Sequence, residues 1–169
     1  KTRLTDIANN WGNRMSKICI VTGASRGLGR GIAKVLAEER SATVYATARS
    51  EKALNDLAAS VKSDSGVIHP FVLDQSDDSA VKNFINFIME KEGRIDLLVN
   101  SAYGGLKAMT PHFGKSFWER PISVFDASID IGLRSAFVTS ANVAPHMVSQ
   151  KSGLIVQVSS FGGHTYLFD

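Results

Sequence analysis

Short apolar runs alternate along the chain with stretches whose apolar residues recur at helical spacing. Five runs have the length of buried strands, namely residues 18–21, 42–48, 67–73, 97–99 and 154–158. In the third run we expect regular strand only after Pro70, because proline cannot donate to a central ladder. Strands that alternate with helices indicate a parallel sheet covered on both faces. The pattern predicts an α/β fold, a Rossmann-type doubly wound parallel sheet that is truncated after its fifth strand.

Helices are predicted between these strands, each from one apolar face. Ser50 is expected to cap the second helix, over residues 51–61, and Asp77 and Asp78 to lead into the third, which ends near Gly93. The expected inward faces are Leu28, Ile32, Val35 and Leu36; Leu54, Leu57, Ala58 and Val61; Val81, Phe84, Ile85 and Ile88; and, within residues 122–147, Phe125, Ile129, Leu133 and Phe137. Residues 103–121 are expected to form a long loop of the kind that often contributes to a substrate site.

A glycine-rich segment follows the first strand directly, with the sequence Thr22-Gly23-Ala24-Ser25-Arg26-Gly27-Leu28-Gly29. Gly23 permits a tight turn, Gly27 lets backbone N–H groups approach a pyrophosphate, and Gly29 allows close packing of the helix on the sheet. Phosphates would then lie at a helix N-terminus, which favours anions. Glycines in a loop are more often ordinary turns, and this spacing is not the commoner G-x-G-x-x-G. The strand before and the helix after favour a dinucleotide site, which also includes Ser25, Arg26 and Leu28.

The end of the second strand predicts which dinucleotide binds. An NAD site has a carboxylate there that accepts hydrogen bonds from the ribose 2′-hydroxyl. This chain has Ala48 followed by Arg49 instead. Arg49 and Arg26 together would bind a 2′-phosphate through charge-assisted hydrogen bonds, although each alone is equally compatible with an ordinary surface position. We therefore expect NADP(H) to be favoured over NAD(H).

Three further residues at strand ends are predicted to contribute to cofactor binding. Asp74 follows the third strand and can accept a hydrogen bond from the adenine amino group, the alternative being a helix cap or a solvated acid. Asn100 can bond neighbouring backbone and hold the central strands in register, or be an ordinary turn residue. The small side chain of Ala102 leaves space for a ribose.

Composition and charge exclude several other classes of protein. Residues 1–14 carry two of the three net positive charges, and no basic stripe with interleaved aromatics follows, so no nucleic-acid partner is expected. Cys19 is the only cysteine and lies in the first strand, which predicts a buried thiol and no metal site. No apolar run approaches the roughly 18 residues of a membrane span, and residues 1–14 lack the apolar stretch of a signal peptide. We expect a soluble chain of unknown compartment.

The chain length of 169 residues suits one domain. Residues 1–14 are polar without clear periodicity, and we expect little fixed structure there. Residues 15–169 are interpreted as the N-terminal part of a single dinucleotide-binding domain.

Three motifs in this order resemble those of the short-chain dehydrogenase/reductase family: Thr22-Gly23-x-x-x-Gly27-x-Gly29, Asn100-Ser101-Ala102 and Ser159-Ser160. The resemblance implies a nicotinamide-dependent oxidoreductase with a small-molecule carbonyl or alcohol substrate, and it allows a homo-oligomer. It implies that Ser160 orients and polarises the substrate carbonyl, although two serines after a strand are more often a turn. A tyrosine would then donate the proton, with its pKa lowered by the lysine of a Tyr-x-x-x-Lys pair.

The chain departs from the family pattern at two places. Gly132 stands where the family usually has an asparagine that supports a water relay to the lysine. The Tyr-x-x-x-Lys pair is expected beyond Asp169, since Tyr166 lies too close to Ser160 to be that tyrosine. We therefore expect the chain alone to be inactive, and the whole protein to be an NADP(H)-dependent carbonyl reductase or alcohol dehydrogenase. The alternative is a non-catalytic NADPH-binding sensor or scaffold.

Overall fold

A computed structural model of the chain describes residues 16–62 and 66–160. Five parallel strands form one sheet in the order β3-β2-β1-β4-β5. Their bounds are β1 Ile18–Thr22, β2 Thr43–Ala48, β3 Val67–Val72, β4 Leu97–Asn100 and β5 Leu154–Gln157. The predicted strands and the doubly wound fold are confirmed. The expectation for residues 1–14 falls outside the described residues.

The prediction that regular strand begins only after Pro70 is wrong. Strand β3 starts at Val67 and pairs with β2 through Pro70, which lies opposite Ala46. The N–H of Val67 donates to Ala42 O and that of Leu73 to Ala48 O, both at 3.0 Å. In a parallel strand alternate residues direct their backbone groups to the same neighbour, so Pro70 faces away from β2. The position needs no donor because, in the described sheet, β3 is the outermost strand on that side.

Helices cover both faces of the sheet. They are α1 Gly27–Arg40, α2 Glu51–Ala59, α3 Asp78–Glu92, α4 Gly105–Met109, α5 Ile122–Ser128 and α6 Ser135–Ser149, with a π-helical segment, Ile129–Arg134, between the last two. The cap predicted at Ser50 is present, since Ser50 Oγ accepts from the Ala53 N–H at 3.4 Å. Asp77, which precedes α3, also acts as a cap, and its Oδ1 accepts from the Ala80 N–H at 2.9 Å. None of the helices in the described part of the chain is long and apolar enough to cross a membrane.

Two apolar clusters form the core, one on each face of the sheet. Successive residues of β1 alternate between them, since Cys19 and Val21 pack with α1 and α2, whereas Ile18 and Ile20 pack with α3 and α6. The Cys19 thiol is fully buried as predicted, and burial raises its pKa to about 12. Strand β1 is thus covered on both faces, which holds its carboxyl end and the following turn in a fixed position.

The buried carboxylate of Asp96 joins the starts of β1 and β4. Its Oδ2 accepts from the Ile18 N–H at 2.9 Å and from Arg94 Nε at 3.0 Å, and Lys17 Nζ lies 3.5 Å from Oδ1. Burial alone would raise the pKa of Asp96. The hydrogen bonds from Arg94 and Ile18, and the charges of Arg94 and Lys17, outweigh that effect and hold the pKa below its ordinary value.

Two of the predicted helix faces are wrong in part. Helix α1 packs on the sheet through Gly29, Ala33 and Ala37. Of its predicted face, Ile32 and Leu36 pack against the core as expected, whereas Leu28 and Val35 are exposed. These small residues let the helix approach the sheet closely, and the larger side chains lie to its sides. The periodicity predicted the helix correctly, but the prediction of its inward face was based on the large apolar residues and left out the small ones.

The second wrong face lies in the region 122–147. Phe125, Leu133 and Phe137 are exposed, with Phe137 at 71%. The buried residues of α6 are instead Ser135, Thr139, Val143 and Met147. The π-helical turn changes the residue spacing between α5 and α6, so side chains at helical spacing before and after it do not share a face. The predicted long loop 103–121 also contains α4 and two short 3-10 turns, Thr110–His112 and Phe117–Glu119.

Candidate cofactor-binding site

A cavity of about 350 Å³ opens at the carboxyl ends of the strands. The chain adds strands on one side of β1 up to β3 and then returns to the other side with β4, so the crevice between β1 and β4 is a topological switch point, where open α/β sheets bind ligands. Nine of the predicted cofactor residues line it: Gly23, Ser25, Arg26, Gly27, Leu28, Gly29, Arg49, Asp74 and Ala102.

The turn after β1 is packed against the loop after β4. Gly23 has φ +68, and a Cβ there would come within 2.7 Å of Ala102 Cα and 2.8 Å of Ser101 O. Thr22 Oγ1 holds the same loop by accepting from the N–H groups of Ser101 and Ala102 at 3.0 and 3.1 Å. A Cβ on Gly29 would lie 2.6 Å from Gly23 O. The cavity is therefore lined here by backbone with no side chain in the way, so a pyrophosphate could approach the N-terminus of α1 closely.

Two exposed cations lie at the β2 side of the cavity. Arg26 precedes α1 and Arg49 follows β2, and both line the cavity. Across residues 16–62 and 66–160, neither guanidinium makes a hydrogen bond or an ion pair with protein groups. Ala48 stands where an NAD site has a carboxylate. The N–H donors of both guanidinium groups are thus available to an anionic ligand.

Asp74 and Gln75 form the β3 side of the cavity. Asp74 Oδ1 accepts from the N–H and the hydroxyl of Ser76, at 2.9 and 2.7 Å. These hydrogen bonds, together with the charge of Arg49, lower the pKa of Asp74 despite a smaller opposing effect of burial. Buried Gln75, which the sequence did not single out, donates to Thr47 Oγ1 at 3.2 Å, and its Oε1 lies 3.1 Å from Thr139 Oγ1.

Two predicted site residues lie outside the cavity lining. Asn100 is buried at the end of β4, and its Nδ2 donates to Ser140 Oγ at 3.0 Å and to Ala136 O at 3.3 Å, so it joins β4 to α6 rather than to another strand. Ser160 is exposed and follows Val158, which does line the cavity. Tyr166 falls outside the described residues.

The β4 and β5 side of the cavity is largely apolar. Its lining there comprises Tyr103, Gly104, Leu106, Ile131 and Val158. The sequence did not single out any of these residues, because they come from three separate segments that only the fold brings together. Among the residues that the structure describes, no group of three or more His, Cys, Asp or Glu is placed to hold a metal ion.

Residues 17–168 match the family of short chain dehydrogenases. The chain belongs to this family. It is 44% identical over 154 residues to the mouse (Mus musculus) protein named dehydrogenase/reductase SDR family member 1, an alignment that covers 90% of this chain and 49% of that protein. The chain thus spans about half the length of this curated relative. The resemblance indicated by the sequence motifs is confirmed.

Solved structures of the same family superpose well on the chain. A metagenomic short-chain oxidoreductase in complex with NADP is 30% identical, with a TM-score of 0.78, covering 90% of this chain and 66% of that one. A 7α-hydroxysteroid dehydrogenase in complex with NADH and 7-oxo glycochenodeoxycholic acid is 25% identical, with a TM-score of 0.79, covering 95% and 59%. Because one of these proteins holds NADP and the other NADH, the family likeness leaves the choice between the two cofactors to the residues of this chain.

Proposed function

We propose that the whole protein is an NADP(H)-dependent carbonyl reductase or alcohol dehydrogenase of the short-chain family. The observation that carries the cofactor choice is the presence of Arg26 and Arg49 at one cavity, with Ala48 in place of a carboxylate. A 2′-phosphate beside two guanidinium groups forms charge-assisted hydrogen bonds, whereas a 2′-hydroxyl gains little from them. Asp74 is proposed to accept from the adenine amino group, and the turn of Gly23, Gly27 and Gly29 to hold the pyrophosphate.

The chemistry would be divided between cofactor and chain. The nicotinamide supplies or accepts the hydride when it is bound. Ser160 is proposed to hold and polarise the carbonyl of a small-molecule substrate, and Asn100 to support the site from below through its bonds to α6. The proton donor would be the tyrosine of a Tyr-x-x-x-Lys pair.

A second candidate is a non-catalytic NADPH-binding sensor or scaffold. Absence of a Tyr-x-x-x-Lys pair from the whole protein would support it, because the site would then lack its proton donor. Such a protein would bind NADPH through the same residues and would not oxidise it.

The test uses the full-length protein, titrated with NADPH and with NADH. Arg49→Ala is expected to weaken NADPH binding by on the order of 1–3 kcal/mol, the value of a charge-assisted contact, and to leave NADH binding almost unchanged. Arg40→Ala is the matched control, since Arg40 is an exposed arginine at the far end of α1 and does not line the cavity. Equal losses for both dinucleotides would contradict the cofactor assignment.

Turnover distinguishes the two candidates. NADPH oxidation is followed by absorbance with a set of aldehydes and ketones, aliphatic and aromatic. Oxidation that depends on one of these carbonyl compounds supports the reductase. Tight NADPH binding without oxidation by any of them supports the sensor.

A further inference from the structure

The cavity has two chemically different ends. Arg49 and Asp74 lie at the ends of β2 and β3, whereas Tyr103 and Val158 lie after β4 and β5. In the proposed function the 2′-phosphate binds at Arg26 and Arg49, and the pyrophosphate crosses the glycine turn above β1. The other half of an extended dinucleotide must then reach the β4 and β5 side. This side, lined by Tyr103, Gly104, Leu106, Ile131 and Val158, is called the nicotinamide end below.

Tyr103 is the only aromatic residue that lines the described cavity, and its ring packs against the π-helical segment. A Cβ on Gly132 would lie 3.1 Å from Cδ2 and 3.3 Å from Cε2 of the Tyr103 ring. Side chains in proteins rarely approach so closely, so the ring would have to shift by a few tenths of an ångström to admit alanine. Gly132 therefore makes room for the ring, which takes the space beside the helix backbone that a larger residue at position 132 would need.

Two further glycines hold the segment after β4 against α5 and the π-helical segment. A Cβ on Gly104 would lie 2.8 Å from Ala127 O and 3.0 Å from Ile131 Cβ. A Cβ on Gly105 would collide with the hydroxyl groups of Tyr103 and Ser128. The backbone that follows Tyr103 is thus in close contact with these helices, and this packing sets the position of the ring.

The hydroxyl group of Tyr103 makes one long contact at the edge of the ring. Its oxygen lies 3.4 Å from Ser128 Oγ, and the Ser128 hydroxyl in turn donates to Val124 O at 2.8 Å. The side chain is nevertheless 49% exposed. A large ring that is held along one side, and open on the other toward a cavity, is suited to form a wall against a planar ligand.

We propose that Tyr103 is a positioning residue for the nicotinamide end of the bound dinucleotide, and that Gly132 lets its ring pack directly against the π-helical segment. This inference rests on the proposed function and deepens it. It also gives Gly132 a role of its own: the departure from the family asparagine is coupled to Tyr103 and is more than the loss of a side chain.

The test compares two probes on the full-length protein. NADPH contains the nicotinamide, and 2′-phospho-ADP-ribose has the same adenosine, 2′-phosphate and pyrophosphate without it. Tyr103→Ala is expected to weaken NADPH binding about fivefold, as for the loss of one aromatic contact, while 2′-phospho-ADP-ribose binding changes less than about twofold. Tyr103→Phe keeps the ring and is expected to bind NADPH like the unaltered protein. Phe117→Ala is the control, since this aromatic residue of the same segment is 79% exposed and does not line the cavity.

A double-mutant cycle tests the coupling to Gly132. Gly132→Ala alone is expected to weaken NADPH binding because it displaces the ring. Added to Tyr103→Ala, it is expected to have little further effect, since the two residues are in contact and their effects are not additive. Fluorescence of bound NADPH provides a second readout, because displacement of the Tyr103 ring changes the surroundings of the nicotinamide.

Several outcomes would overturn the inference. Unchanged NADPH affinity in Tyr103→Ala would do so, as would an equal loss for both probes, which indicates a general effect on folding. If the effects of Tyr103→Ala and Gly132→Ala on NADPH affinity were additive, the proposed coupling of Gly132 to Tyr103 would be contradicted. If the unaltered protein bound neither probe, the proposed function itself would fail, which is a distinct result from a probe-independent loss.

Discussion

Alanine substitutions at three glycines of residues 23–31 can separate the effect of tight packing from the effect of backbone conformation in the turn after β1. Gly23 has φ +68, and its surroundings leave no room for a Cβ. Gly27 has a similar φ of +56, but nothing lies within 4 Å of the position that a Cβ would take there. Gly31, inside α1, has neither a positive φ nor a neighbour within 4 Å. Alanine at these three positions therefore separates the two effects.

The expected changes in the free energy of unfolding differ in size and sign. Gly31→Ala should stabilise by about 0.5–1 kcal/mol, because alanine is the better residue inside a helix. Gly27→Ala should destabilise by about 1–2 kcal/mol, the cost of a left-handed conformation for a residue with a Cβ. Gly23→Ala carries the same cost and must also push away the backbone of Ser101 and Ala102, which adds about 1–3 kcal/mol.

The additional loss at Gly23 has a structural route that can be checked separately. Displacing Ser101 and Ala102 breaks the two hydrogen bonds that Thr22 Oγ1 accepts from their N–H groups. The assay is urea unfolding of the full-length protein without cofactor, with the slope of each transition compared between variants. Equal destabilisation by Gly23→Ala and Gly27→Ala would refute the argument that contact between the β1 turn and the β4 loop is tight.

Two further predictions concern ionisation and catalysis. Asp96→Asn should destabilise the protein by about 2–3 kcal/mol at pH 7, since it weakens charge-assisted hydrogen bonds to a buried carboxylate. Because folding lowers the pKa of Asp96 below its ordinary value of 3.8, its contribution is complete above that pH and is lost as the pH falls through the lower, folded value. Urea unfolding at pH 7 and pH 3 should therefore show a smaller difference between the two proteins at pH 3, and a constant difference would contradict the assignment. Ser160→Ala should lower kcat strongly and leave NADPH affinity nearly unchanged, as expected for an interaction made chiefly in the transition state; a larger effect of Ser159→Ala would identify Ser159 as the relevant hydroxyl.

The three central strands β1, β2 and β4 could be predicted from sequence because buried parallel strands are continuous apolar runs between turn residues. The outer strands β3 and β5 are more exposed but are also mostly apolar. Helix faces were less predictable. Thr139 and Ser135 are buried in α6 because their hydroxyl groups donate to backbone carbonyls one turn earlier, at 2.8 and 2.6 Å. A buried polar residue whose hydroxyl bonds within its own helix cannot be recognised from the pattern of apolar positions. The same is true of the π-helical turn that changes the residue spacing after Ser128.

Those site residues that lie next to a strand end in the sequence could be predicted, whereas those placed by contacts with distant segments could not. The glycine turn, Arg49 and Asp74 follow strand ends directly, and the sheet topology brings them to one edge. Tyr103 and Gln75 depend on contacts with distant segments, namely the π-helical turn and Thr139. Such contacts are set by the folded chain and have no short-range signature.

Pro70 gives the outer edge of the described sheet a property of its own. An open strand edge presents a row of unpaired donors and acceptors, which invites another strand to add to it. At Pro70 one donor of that row is missing, and the ring occupies the place where an incoming carbonyl would bind. In the described sheet, strand β3 can thus complete its pairing with β2, while its free side at Pro70 is a poorer template for a further strand.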